Sequence, residues 1–181
     1  MTPAERESLL KSLTESRERL LRTVGGLSRE QRRYKTAPDR WSYAEIVEHL
    51  TTVEGRILGM VQKSLEAPPD LSKRTAMADT AIIEDVAGRI TRFQAPEFLV
   101  PTGQVKDEEL LRAFEAARQR TYDFARTTDG DLRHHFAPHP IFGDLDCYQW
   151  LMLLSAHCDR HMAQGEEVRA DAGFPRAAAA R

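Results

Sequence analysis

Long stretches in which apolar residues recur every three or four positions alternate with shorter ones rich in proline, glycine and charge. Residues 3–24 place Leu9, Leu10, Leu13, Leu20, Leu21 and Val24 on one stripe, the pattern of an amphipathic helix. Gly25-Gly26 suits its end, and "LSREQRRYKTAPD" reads as a loop. A second helix opens at Ser42: serine is a good N-cap, Glu45 completes a capping box, and Trp41 before the cap can staple onto Ile46. Its inner stripe is Ile46, Leu50, Val53, Ile57 and Val61, and it ends near Leu65, ahead of Pro68-Pro69.

Residues 67–105 are the least regular part. Asp79–Ile90 is expected to form a short helix burying Ile82, Ile83, Val86 and Ile90, and "FQAPEFLVPTG", with two prolines, to be extended loop. So long a connection is unusual between adjacent antiparallel helices. It can cross the length of a bundle, so the next helix is expected to run parallel to the second. That third long helix covers about Asp107 to Arg126, with Leu110, Phe114, Ala117, Thr121 and Phe124 near one face, and Asp129-Gly130 breaks it. Pro138 and Pro140 exclude helix from "HHFAPHPIFGD". The fourth helix runs from about Leu145 to Ala170, and the chain is expected to fray from about residue 172. No strand-like alternation, repeat or glycine-rich phosphate loop stands out. Four long amphipathic helices imply an all-α four-helix bundle, as one domain over 1–181.

Composition narrows the class. The 181 residues, 41% hydrophobic and 30% charged, fit a soluble globular domain with a sizeable core. A net charge of −2 argues against broad electrostatic capture of nucleic acid or of an acidic membrane surface. No apolar run approaches the roughly 20 residues of a membrane span, and "MTPAERESLLKSL" lacks the pattern of a secretory signal. A cytoplasmic location is the expectation. Cys147 and Cys158 lie on one helix and read as free thiols.

The candidate chemistry is histidine. On the fourth helix Trp150, Leu154, His157, His161, Gln164 and Val168 share a narrow arc at about 100° per residue. His157 and His161, one turn apart, can converge on one ion. His49 lies about 60° to one side of the second helix's stripe, facing inward at its margin. If these two helices pack together, three imidazoles can meet. Imidazole binds zinc, nickel, copper and iron, and three protein ligands leave positions open for water or substrate. Gln164 could then hydrogen-bond a bound molecule and Glu45 could orient an imidazole. A lone inward histidine is ordinarily a hydrogen-bonded core residue, but burying two without partners is expensive. The pair is not HExxH, because no glutamate base lies between the histidines. Pattern alone leaves a metal site and hydrogen-bonded core histidines both open.

Other residues carry less. His139, in "HPIFG", can reach the site mouth as an acid or base or simply pack its loop. His134-His135 read as surface and Asp159 as solvated. Arg160 is a candidate clamp for an anionic substrate, weighed against a surface salt bridge, and Arg56, two turns beyond His49, can line the cavity. Cys158 points about 100° away from the histidines and is a poor ligand. Trp41 and Trp150 are explained by stapling and core packing.

The stretches "WSYAEIVEHL" and "HPIFGDLDCYQWLMLLSAHCDRHMAQ", in this order and separation, resemble the DinB/YfiT-like family of four-helix metal-binding proteins, over roughly Leu9 to Arg169. The resemblance implies an up-down-down-up bundle and a divalent ion, with zinc, nickel or iron foremost, held by His49, His157 and His161. It implies a metal-dependent enzyme that activates a low-molecular-weight thiol for S-transfer, or water for hydrolysis. It also implies a small-molecule substrate, no nucleic-acid or membrane partner, and room for a homodimer. The rival expectations are a metal-binding or stress-response protein without catalysis, and a dimeric structural module whose histidines only hydrogen-bond.

Overall fold

The computed structural model describes residues 1–91 and 94–176. Six helices are α1 (Pro3–Gly25), α2 (Arg29–Arg33), α3 (Tyr43–Ser64), α4 (Asp79–Gly88), α5 (Asp107–Thr127) and α6 (Cys147–Arg169). A 3-10 turn lies at Glu97–Leu99, and β1 (Phe136–His139) pairs antiparallel with β2 (Gly143–Asp146). Three of the four long helices start where the sequence supplies a side-chain acceptor for the first free N–H groups. Thr2 with Glu5 caps α1, Ser42 with Glu45 caps α3, and Asp146 with Gln149 caps α6. The start of α5 has no side-chain cap but carries Asp107, Glu108 and Glu109 against the helix dipole.

Both α1 and α3 pack against α5 and α6. Directions follow from which ends touch. Tyr148 donates to Glu5 O, Ser155 to the Ser12 hydroxyl, and Arg19 pairs with Asp159, so α1 and α6 run together. Arg6 donates to the carbonyls of Ala125 and Thr128, so α5 runs against α1. Leu65, past the end of α3, lies against Gly130, past the end of α5, so those two run together. The course is up-down-down-up, as the resemblance implied. The crossover makes this possible by carrying α4 along α6 on the way.

The core includes the expected stripes. Leu9, Leu13, Leu20 and Val24 of α1 and Ile46, Leu50, Val53 and Val61 of α3 are buried, and Ile57 is partly so. Several expectations need correction. Asp146 caps α6 instead of lying within it, and Gly88 ends α4 two residues early. Ile82 is the buried residue of α4; Ile83 sits on its rim and Ile90, beyond the helix, is exposed. The supposed first loop holds the capped turn of α2. The segment around Pro138 is a hairpin, which four-residue strands cannot announce by alternation; Pro138 faces solvent in a two-stranded sheet. Residues 172–176, expected to fray, dock: Phe174 meets Tyr34 edge-on, and Gln31 donates to Pro175 O. The rest of that expected tail, 177–181, and Phe93 of the proline-rich loop lie outside the described residues.

One close approach sets up the site. A Cβ on Gly165 would collide with the ring of Tyr43. Glycine there lets the first turn of α3 lie directly on α6, one turn beyond His161.

Candidate metal centre

The antiparallel contact of α3 with α6 brings His49, His157 and His161 together. One nitrogen from each lies within 4.8 Å of the others. His157 Nε2 stands 3.4 Å from His49 Nε2 and 3.1 Å from His161 Nε2. Two nitrogens bound tetrahedrally at about 2.0–2.1 Å from a zinc ion would stand about 3.4 Å apart.

The outer nitrogens explain why these lone pairs face inward. His49 Nδ1–H donates to the carbonyl of Leu99 at 2.8 Å, and His161 Nδ1–H donates to Gln164 Oε1 at 2.8 Å. Each bond puts the ring proton on Nδ1 and leaves Nε2 bare. Two bare lone pairs on either side of His157 cannot both be satisfied by that ring, whose own Nδ1 is buried without a partner. A cation at the meeting point resolves the conflict, so the donor set fits a metal ion.

Burial tunes the same groups. It pushes all three imidazoles below their ordinary value, His161 to about 3 and His157 far down, with neighbouring imidazoles adding to the shift at these two. The rings are therefore neutral and available as ligands over the working pH range. His49 and His161 are buried and His157 is part-buried.

Supporting groups differ from the expected ones. Glu45 does not touch an imidazole; its carboxylate accepts from Ser42 and pairs with Lys35, fully used in the cap. Gln164 accepts from His161 Nδ1–H and so holds that ring in place. The carbonyl of Leu99 comes from the 3-10 turn of the crossover, which Glu48 ties to α3 by accepting from Thr102 and Gly103 N–H. Trp41 does more than staple: its ring stacks on His161 at 5.7 Å and leans on His49 at 4.8 Å. Neither Leu99 nor Trp41 carried a sequence signal for this, beyond Trp41's place ahead of the α3 cap.

The remaining candidates scatter. Arg160 forms no salt bridge among the described residues; it donates to the carbonyls of Val86 and Thr91, holding the end of α4. Arg56 is exposed, its guanidinium 4.7 Å over the Phe98 ring. His139 stacks on Phe142. His134 is exposed, but His135 is buried, donating to one of the carbonyls of Asp131 and Ala67 and facing the other. Asp159 pairs with Arg19. Trp150 donates to Ala137 O from the core, and both cysteines are buried and free.

Comparison with known proteins places residues 12–164 within the model of the DinB superfamily. A Bacillus subtilis (strain 168) protein, described as the uncharacterized protein YuaE, is 25% identical over 146 residues, spanning 80% of this chain and 86% of that one. No solved structure matches the chain. No helix among the described residues is long and apolar enough to cross a membrane.

Proposed function

The chain belongs to the DinB superfamily, and from that premise we propose that it is a divalent-metal-dependent enzyme that activates a low-molecular-weight thiol at His49, His157 and His161. The observation that carries this reading is the set of facing Nε2 atoms, with the Nδ1 protons of His49 and His161 already given to Leu99 and Gln164. A bound divalent ion supplies Lewis acidity, lowering the pKa of a thiol or water that joins it.

The chain's own residues do the rest. Leu99 O and Gln164 Oε1 hold protons at the outer nitrogens and fix the ring orientations. Trp41 covers the His161 face and limits water there. His157 is part-buried where His49 and His161 are buried, so a small molecule would approach the cluster from the His157 side. No aspartate, glutamate or cysteine joins the cluster among the described residues. Hydrolysis by the usual route wants a carboxylate base beside the metal-bound water. A thiol, once deprotonated, is itself the nucleophile, so S-transfer is favoured over hydrolysis. The thiol proton would pass to solvent, and the sulfur would bond to an electrophilic carbon as that carbon's bond to its leaving group breaks, the leaving group departing with the electron pair.

Elemental analysis of the purified protein tests the first step. About one zinc, nickel or iron per chain, lost in both His49→Ala and His161→Ala, is the expected result. A parent that stays metal-free after reconstitution removes the proposal. A screen of electrophiles with several thiols then separates catalysis from metal binding without turnover.

A further inference from the structure

Two consecutive residues of α3 hold one short segment of the crossover. His49 Nδ1–H donates to Leu99 O at 2.8 Å. Glu48 accepts three bonds from the residues that follow. One of its oxygens takes the Thr102 N–H at 2.7 Å and the Thr102 hydroxyl at 2.6 Å, and the other takes the Gly103 N–H at 2.9 Å. Gly103 has a φ of 70°, which glycine adopts without strain, so the turn that presents both N–H groups to one carboxylate costs little there.

The two grips are unequal. Bonds to a carboxylate are charge-assisted and roughly twice as strong as a bond between a neutral imidazole and a carbonyl. Other polar attachments of the segment lie farther along: Arg33 donates to the carbonyls of Gly103 and Val105. On the upstream side, Leu99 N–H and Val100 N–H are used within the 3-10 turn, on the carbonyls of Pro96 and Glu97. The Leu99 side chain packs on the core, but apolar contact is non-directional and does not aim a carbonyl. Among the described residues Glu48 is therefore the nearest polar anchor for the backbone that carries Leu99 O, beginning three residues away at Thr102.

The tautomer of His49 depends on that carbonyl. With Leu99 O in place the ring proton sits on Nδ1 and the bare Nε2 faces His157. With Leu99 O withdrawn, the proton gains a competing place on Nε2, where it can donate to His157 Nε2 at 3.4 Å and cover the lone pair a metal ion needs. We propose that Glu48 is a positioning residue of the metal centre: by gripping Thr102 and Gly103 it keeps Leu99 O on His49, and so keeps Nε2 of that ring free for the ion. The inference rests on the three-histidine reading and adds to it a side chain that acts through the crossover.

Protein labelled with nitrogen-15 at histidine provides the test, because imidazole spectra tell Nδ1–H from Nε2–H ring by ring, without metal or turnover. The metal-free parent is expected to show Nδ1–H at both His49 and His161. In Glu48→Ala the His49 ring should move towards Nε2–H, while His161, held by Gln164, stays as it was. Cobalt affinity, read by competition with a chelator, should fall about tenfold. Glu48→Gln keeps an oxygen for Thr102 but loses the acceptor for Gly103 N–H. It should fall between parent and Glu48→Ala on both readouts, and it carries the same ring-by-ring comparison should Glu48→Ala not fold. A His49 ring unchanged in every folded variant, or both rings changing together as in a general loosening, overturns the role of Glu48 and leaves the metal centre standing. So does a cobalt affinity equal to the parent's. A parent that takes up no cobalt overturns the metal centre, and this inference with it.

Discussion

Two of the buried polar clusters among the described residues are built in opposite ways. At mid-bundle Arg118 of α5 is 1% exposed and pairs with Glu54 of α3, itself 1% exposed. Both guanidinium–carboxylate bonds are near-ideal, at 2.9 and 3.0 Å, and Arg118 also reaches Leu13 O, the Ser16 hydroxyl and Leu154 O. One side chain thus touches all four long helices with its donors and charge used up. The histidine cluster between α3 and α6 is also buried at His49 and His161, yet the bare Nε2 atoms of both face the one Nε2 of His157, which cannot satisfy them together. A satisfied polar network locks a fold. A buried network that satisfies only its outward bonds is arranged for something that arrives later.

The contrast predicts that damage to the two clusters separates into stability and ligand effects. The largest effect is expected from Arg118→Met, which strands Glu54 without a partner. It should cost about 3–5 kcal/mol in urea unfolding, while whatever protein remains folded still binds metal in full. A loss of metal in proportion to stability would erase the distinction between the clusters.

Gln164→Ala should do the reverse. The residue is part-exposed and holds only the outer nitrogen of His161. Metal affinity should fall about 10–100-fold, read by competition with a chelator, with little change in the unfolding midpoint. An unchanged affinity would show that this bond does not orient the ring.

The pH response sharpens the comparison further. In metal-free protein the three imidazoles have folded pKa values below their unfolded ones, with His161 at about 3. The unfolded chain therefore binds more protons below about pH 6.5. Their contribution to stability is complete above that point, and it declines as pH falls towards the folded values. The slope is at most about 1.4 kcal/mol per pH unit for each imidazole. Saturating zinc should shift the decline to lower pH, and a His157→Ala, His161→Ala double variant should flatten it. A slope that persists in the double variant would assign it to other groups.

Much of the fold was legible because the forces that make a helix are local. Periodicity located the four long helices, and the Ser42–Glu45 box placed the start of α3 to the residue. Less was legible where partners come from afar. Arg118 and Glu54 drew no reading from the sequence, because nothing in their spacing says that they face each other across 64 positions. The hairpin was missed because strands of four residues are too short to show alternation. Glu45 was misassigned because the same carboxylate that completes a cap is spent there.

The sequence by itself determined that His157 and His161 share a face one turn apart and that His49 lies on the inward margin of its helix, since helical geometry fixes both without reference to the rest of the chain. Tertiary structure decided which nitrogens meet. It closed α3 onto α6 over Gly165, brought Leu99 O back from the crossover to His49 and laid Trp41 on His161. A tautomer is chosen by whatever hydrogen-bonds the opposite side of the ring, and that partner is known only once the chain has folded.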